Sequence, residues 1–151
     1  MNFDIKFDFQ RRDRLGLIEA IWGQDKSIDQ LERLSENVLG KNEVVFITRI
    51  NSEKANYLLD LHDDARFYEE ANCLIIGENP NKLNTNKKVA LISGGTSDLA
   101  VTLEAKLALE IYGVNCQSFI DVGVAGLHRF CLLYTSPSPR DRSSSRMPSS
   151  A

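Results

Sequence analysis

Residues 89–98, V-A-L-I-S-G-G-T-S-D, decide the fold expected of this chain. The stretch opens with apolar residues, turns through two glycines and three small polar residues, and continues as an amphipathic run to Gly113. A second apolar run follows at residues 114–120. A strand, a glycine-containing turn, a helix and a second strand make one βαβ unit, so the sequence predicts an α/β protein with parallel strands in this part.

The turn between the first strand and the helix is the first candidate binding site. Gly94 and Gly95 let the backbone approach a ligand closely because they carry no Cβ. Thr96, Ser97 and Asp98 occupy the positions expected of a helix N-cap. The N–H groups at a helix start favour an anion, by about 0.3–1 kcal/mol from the helix dipole. The turn therefore indicates a phosphate or nucleotide, although an ordinary strand-to-helix connection uses the same residue types.

A second loop, D-V-G-V-A-G-L-H-R, follows the second strand. Asp121, Gly123 and Gly126 indicate unusual backbone angles or room for a ligand, since two glycines fall within four residues. His128 and Arg129 come at the expected start of the next helix. Because both loops end at one edge of the sheet, His128 is a candidate catalytic proton carrier, with an ordinary pKa near neutrality, and Arg129 is a candidate charge partner.

The first eighty residues carry the signals of a small α/β domain. Ser27 and Gln30 form the capping-box pattern S-x-x-Q at a helix start, and Gly40 supplies the stop. The apolar run 43–48 predicts a buried strand. Arg49 follows that strand at its carboxyl end, where open α/β sheets bind their ligands, and it is the candidate site residue in this region.

Several finer expectations complete the secondary-structure reading. Ser52 is the predicted cap of a second helix, and short strands are predicted at residues 66–69 and 72–76. Residues 77–88 are polar and asparagine-rich, which indicates a linker. The helix at residues 98–112 has a predicted buried face made of Leu99, Thr102, Ala105 and Leu109.

Composition excludes several classes of function. A formal charge of −3 and a pI near 5.4 argue against a nucleic-acid partner, which requires clustered basic charge. No apolar run approaches the roughly 18–20 residues of a membrane span, and the start M-N-F-D-I-K-F-D lacks the apolar core of a signal peptide. Cys73, Cys116 and Cys131 have no metal or disulfide spacing. We therefore expect a cytoplasmic protein with no membrane partner.

Four stretches of the sequence resemble one enzyme family. The string G-T-S-D-L … E-A … G … D-V-G-V-A-G-L-H-R is similar to the LarB family, nicotinate adenine dinucleotide carboxylase/hydrolases that begin synthesis of the nickel-pincer cofactor. R-x-x-R-L-G-L-I-E-A-I-W-G at residues 11–23, the K-S-I-D-Q-L that follows it, and the pair Thr48-Arg49 resemble the N-terminal domain of that family. The resemblance covers roughly residues 8–130.

This resemblance implies a reaction for the parent protein. Nicotinate adenine dinucleotide is carboxylated on its pyridine ring with carbon dioxide as co-substrate, and its phosphoanhydride is hydrolysed. The products are pyridinium-3,5-biscarboxylate mononucleotide and AMP. The resemblance further implies a homo-oligomer with no tightly bound cofactor and no metal ligands in this chain, with Mg²⁺ left open. The catalytic cysteine of the family lies on a later loop and matches none of the three cysteines, so the chain is expected to be inactive. It is also expected to be poorly stable, because a lone βαβ unit exposes strand edges and sheet faces that further elements would cover.

Two other functions stay open from the sequence. The first strand and loop are also similar to the G-S-x-S-D loop of the aminoimidazole ribonucleotide carboxylases of purine biosynthesis, the PurE type. In that family Ala-His-Arg is continuous, whereas here Gly126 and Leu127 separate Ala125 from His128. The PurE type also lacks the N-terminal segment seen here. The second alternative is a non-catalytic nucleotide-binding module.

The predicted organisation has four parts. An N-terminal α/β domain spans residues 1–80, a linker 81–88, and a truncated PurE-like domain of flavodoxin-like, parallel-sheet type 89–131. Residues 132–151 contain seven serines and three of the four prolines of the chain. That composition predicts disorder, and the segment looks like translated cloning sequence rather than native protein.

Overall fold

The computed structural model describes residues 7–83 and 85–123. Short 3-10 turns lie at Glu69–Ala71 and Thr96–Asp98. No helix in these ranges is long and apolar enough to cross a membrane. The mixture of helices and partly parallel strands confirms the α/β class. The elements, in chain order, are α1 (Arg11–Leu15), β1 (Ile21–Trp22), α2 (Ile28–Leu39), β2 (Val45–Thr48), α3 (Ser52–Leu61), β3 (Ala65–Tyr68), β4 (Cys73–Ile76), β5 (Lys88–Ile92), α4 (Leu99–Ile111) and β6 (Asn115–Phe119).

The first sheet is mixed and has the strand order β1-β2-β4-β3. Strand β1 runs parallel to β2, whereas β4 is antiparallel to both of its neighbours. Every residue of β2 is buried, as the apolar run predicted. Strand β1 was not predicted, because two residues after a charged segment carry no readable alternation.

Helices cover both faces of this sheet. On one face, α2 and α3 pack against a core that includes Leu31, Ile47 and Leu74. On the other face, Leu107 and Ile111 of α4 pack against side chains from β2 and β4. The helix of the predicted βαβ unit therefore also completes the core of the first sheet.

The predicted N-cap residue is confirmed for α2 and is wrong for α3. The Ser27 hydroxyl accepts from the Gln30 N–H at 3.3 Å, and the Gln30 side chain accepts from the Ser27 N–H at 2.9 Å, which confirms the capping box. The prediction for Ser52 is wrong, because Ser52 is already helical. Asn51 has the extended backbone of a cap, and its side chain accepts from the Lys54 N–H at 3.0 Å.

The second sheet is the predicted βαβ unit. Strands β5 and β6 are parallel, in register from Lys88↔Asn115 to Ile92↔Phe119, and α4 connects them. The buried face of α4 differs from the prediction. Thr102 is buried as expected, but Leu99, Ala105 and Leu109 are only partly buried. The deepest apolar positions are Leu107 and Ile111, because α4 contacts the first sheet as well as the second.

Hydrogen bonds of a polar cluster connect α4 to the N-terminal segment. The Asn79 side chain donates to the carbonyl of Ile111, the last residue of α4, at 3.0 Å. It also accepts two hydrogen bonds at 3.1 Å from the Arg12 guanidinium, which forms an ion pair with Glu43. The Ile18 N–H donates to the Tyr112 hydroxyl just beyond α4. Asn79 thus satisfies a carbonyl that a helix end would otherwise leave without a partner.

Candidate functional site

The two predicted loops meet at the carboxyl ends of β5 and β6. The Gly123 N–H donates to the Gly94 carbonyl at 3.0 Å, and the Val122 N–H donates to the Ser93 carbonyl at 3.1 Å. The Ser93 N–H in turn donates to the Phe119 carbonyl at 3.0 Å. The backbone hydrogen bonding of the sheet therefore continues past the strands and holds the two loops together.

Gly123 is required by this backbone contact. A Cβ at Gly123 would overlap the carbonyl oxygen of Gly94 and would lie 3.0 Å from its carbonyl carbon. The sequence indicated unusual backbone angles or room for a ligand at this glycine. The structure supplies a more specific reason, which is that the first loop occupies the space a side chain would fill.

The side chain of Asp98, the acidic residue of the first loop, binds a backbone N–H of the same loop. Asp98 accepts from the Gly95 N–H at 3.1 Å, and its side chain makes no forward capping bond to α4. The Asp98 carbonyl accepts from the Thr102 hydroxyl at 2.9 Å. Thr96 and Ser97 are exposed in the 3-10 turn. The loop is thus held in shape by Asp98, while the small residues at its tip face solvent.

An open cleft of about 360 Å³ lies beside this loop. Its polar end includes Ser93, Gly94, Asp98 and Thr102, and apolar side chains of β5 and α4 form the rest. Ser93 is buried, and its hydroxyl has no hydrogen-bond partner in the part of the chain that the structure describes. Sequence reasoning missed Ser93, because a serine at a strand end carries no distinctive pattern.

Arg49 follows β2, and its side chain contacts residues outside the loop at Gly94. Its guanidinium stacks 5.3 Å from the centre of the Trp22 ring, and its Nε is 3.7 Å from a Glu104 carboxylate oxygen. Its backbone has a φ of 54°, a left-handed conformation that costs a non-glycine residue about 1–2 kcal/mol. The structure therefore connects Arg49 to α4 through Glu104. Trp22 is 48% exposed.

The remaining predicted site residues divide into two groups. Asp121 follows β6 with a φ of 61°, at the same sheet edge as Gly94 and Gly123. Gly126, His128 and Arg129 lie outside the described residues, so their roles stay predictions. Among residues 7–83 and 85–123, no group of three or more His, Cys, Asp or Glu side chains could hold a metal ion.

The two described cysteines are poor nucleophiles. Cys73 lies fully buried in β4, and burial raises the pKa of its thiol to about 12. Burial also raises the pKa of Cys116 above its ordinary value. The thiolate is the reactive form of cysteine, so neither side chain is suited to attack a substrate near neutral pH.

We expect the Cys73 thiol to resist alkylation in the folded chain and to make stability fall at alkaline pH. Its pKa is 9.0 ordinarily and about 12 when folded, so the unfolded chain releases this proton first. The contribution of the protonated thiol to the free energy of unfolding is complete below about pH 9 and is lost as the pH rises from 9 to about 12, by roughly 1 kcal/mol per pH unit. Denaturant titrations at pH 8 and pH 10 would measure it. Cys73→Ala is the control, and an equal loss in that variant would contradict the assignment.

The comparisons with known proteins identify the family. Residues 3–78 match the LarB/PurE-like N-terminal domain. The chain belongs to this carboxylase-related family. It is also 32% identical over 130 residues to an uncharacterized protein of Methanocaldococcus jannaschii, an alignment that includes 83% of this chain and 51% of that relative. The LarB/PurE-like chain thus spans about half the length of the curated relative that it matches.

Proposed function

We propose that this LarB/PurE-like chain provides the nucleotide-binding part of a nicotinate adenine dinucleotide carboxylase/hydrolase. In the proposed reaction, a carbon of the pyridine ring gains a carboxyl group from carbon dioxide and loses a proton. Water cleaves the phosphoanhydride, which gives AMP and pyridinium-3,5-biscarboxylate mononucleotide. The enzyme would act as a cytoplasmic homo-oligomer.

The proposal rests on the hydrogen bond from the Gly123 N–H to the Gly94 carbonyl, together with the membership of the chain in this family. It brings two loops to the carboxyl edge of a parallel sheet, where open α/β folds bind their ligands. The cleft beside the loops has a polar end next to an apolar flank, as a nucleotide requires.

Each group in the first loop suits a different part of the ligand. The N–H groups at the start of Thr96–Asp98 are donors, and they suit a phosphate. The Asp98 carboxylate is an acceptor and repels a phosphate at close range, so we assign it to the ribose hydroxyls. His128 is the proposed acceptor of the ring proton, and Arg129 the proposed partner of the phosphoanhydride. Because Cys73 and Cys116 hold their protons, the nucleophilic cysteine of the proposed reaction is neither of them.

The binding step is testable on the chain itself. Calorimetric titration with AMP and with adenosine should show AMP bound at least about tenfold more tightly, because the phosphate adds charge-assisted hydrogen bonds at the loop. Nicotinate adenine dinucleotide should compete with AMP. Equal affinities for AMP and adenosine would contradict the phosphate assignment.

The reaction step is testable by product analysis. The chain and its M. jannaschii relative are each incubated with nicotinate adenine dinucleotide and bicarbonate, and AMP and the dicarboxylated mononucleotide are followed by chromatography and mass spectrometry. We expect binding without turnover by the 151-residue chain, and both products from the relative. Hydrolysis to AMP with no carboxylated product would contradict the proposed carboxylase.

A further inference from the structure

Two exposed surfaces of the chain are complementary in polarity and charge. The first, the α1 surface, consists of α1, whose residues are all at least partly exposed, and the leucines at its carboxyl end. Leu15 is 57% exposed and Leu17 is 47% exposed. The Arg14 side chain is 58% exposed and pairs with Asp8, while Arg11 has no ion pair in the described part of the chain. The α1 surface therefore presents apolar side chains beside guanidinium groups.

The second surface, the α4 groove, is an open groove of about 310 Å³ between α4 and the turn at Glu69–Ala71. Its apolar lining includes the buried residues Ala71 and Leu107 and the partly buried Leu103. A partner that covers such a lining removes apolar surface from water, which favours association. The α4 groove can therefore accept an apolar side chain such as a leucine.

The charged residues of the α4 groove are mostly acidic. Glu69, Glu70 and Glu110 line it and are exposed. Lys106 also lines it and pairs with Glu110 at 3.7 Å. Glu69 and Glu70 have no ion pair with any residue that the structure describes. Two carboxylates are therefore available to a cationic partner, and the α1 surface supplies cations of its own.

Both surfaces lie on the α4 side of the first sheet. Ile18, which follows the α1 surface, and Leu103 of the α4 groove pack against the same buried cluster. The Arg12 guanidinium fixes α1 in place by donating to the Asn79 side chain and pairing with Glu43. With α1 fixed in this way, Leu15 faces solvent and is free to meet the groove of a second copy.

We propose that the α1 surface of one copy docks in the α4 groove of a second copy, which returns the same contact in a two-fold symmetric dimer. The inference rests on the proposed function in one respect, the homo-oligomer, for which it supplies an interface. Leu15 fills the apolar part of the groove, and the guanidinium groups beside it face Glu69 and Glu70. Opposite charges around an apolar centre give the contact its orientation. Because the contact is reciprocal, the assembly closes at two copies.

Sedimentation velocity over a range of concentrations tests the apolar part of the contact. We expect the unmodified chain to show a monomer–dimer equilibrium. Leu15→Ser should raise the dissociation constant at least about tenfold, because each dimer contains the substitution twice. Leu61→Ser is the matched control. Leu61 is 44% exposed at the end of α3, on the other face of the first sheet, so this variant should dimerise as the unmodified chain does.

A charge exchange tests whether the two surfaces meet each other. Arg14→Glu and Glu70→Arg should each weaken the dimer, because each variant places like charges across both contacts. An equimolar mixture of the two variants should dimerise again, since each α1 surface then meets a groove of opposite charge. Native mass spectrometry would identify the mixed dimer by its mass. Recovery in the mixture requires a contact between copies, so a contact within one chain would not produce it.

The outcomes separate this interface from the proposed function. A chain that is monomeric at every concentration would overturn the inference, as would a dimer that Leu15→Ser and Glu70→Arg leave equally tight. Circular dichroism of the variants should match that of the unmodified chain, since the replaced side chains are exposed. The variants should bind AMP as the unmodified chain does, because the substitutions lie outside residues 94–98. Failure of the unmodified chain to bind AMP would overturn the proposed nucleotide binding and leave the dimer contact standing.

Discussion

Replacing Gly123 with alanine is expected to destabilise the chain by about 1–3 kcal/mol and to abolish nucleotide binding. The added methyl group would overlap the Gly94 carbonyl oxygen, which is backbone and cannot rotate away as a side chain would. The second loop would have to move, and the hydrogen bond from the Gly123 N–H would be lost. Urea denaturation and AMP titration of the same variant would measure the two effects.

Gly94→Ala is the matched control for Gly123→Ala. A Cβ at Gly94 would lie 3.7 Å from an Asp98 carboxylate oxygen and 3.8 Å from the Gly123 Cα, which are ordinary contacts. We therefore expect this variant to unfold at nearly the same urea concentration as the unmodified chain. Its AMP affinity should fall, because the methyl group occupies the side from which a ligand approaches the loop. Equal stability of the two alanine variants would show that the loops do not depend on their close approach.

The candidate site could be predicted in outline because its signals are local. Two glycines after an apolar run are visible in the sequence, and parallel pairing of the flanking strands brings both loops to one edge. The direction of the Asp98 side chain was not predictable. The same residues allow it either to cap the N–H groups of α4 or to accept a hydrogen bond from the Gly95 N–H, as it does in the structure. The partners of Arg49 were not predictable either, since Trp22 and Glu104 are 27 residues before it and 55 residues after it.

In the fold too, features encoded by neighbouring residues were predictable, and features that depend on distant residues were not. The capping box at Ser27 is encoded within four residues, and the structure has it as predicted. The burial of α4 depends on a sheet formed by residues far earlier in the chain. Apolar residues occur on more than one side of this helix, so its own sequence does not indicate which side is most deeply buried. The asparagine-rich segment read as a linker also contributes Asn79, whose contacts with Arg12 and Ile111 only the folded chain shows.

Leu107→Ala should have the largest effect on stability among substitutions in α4. Leu107 is 5% exposed and packs in one cluster with Phe46 and Ile75 of the first sheet. Truncating a buried leucine to alanine leaves a cavity and typically costs about 2–5 kcal/mol. Val101→Ala on the same helix is the control, since Val101 is 57% exposed and its loss should cost less than about 0.5 kcal/mol.

The same variant tests whether the two sheets unfold together. Because α4 contacts both sheets, a cavity at Leu107 should lower the stability of the whole described part of the chain. Fluorescence of Trp22, in the first sheet, and far-ultraviolet circular dichroism should then report one shared transition that shifts to lower urea. If Leu107→Ala instead leaves the Trp22 transition unchanged, α4 belongs energetically to the second sheet alone.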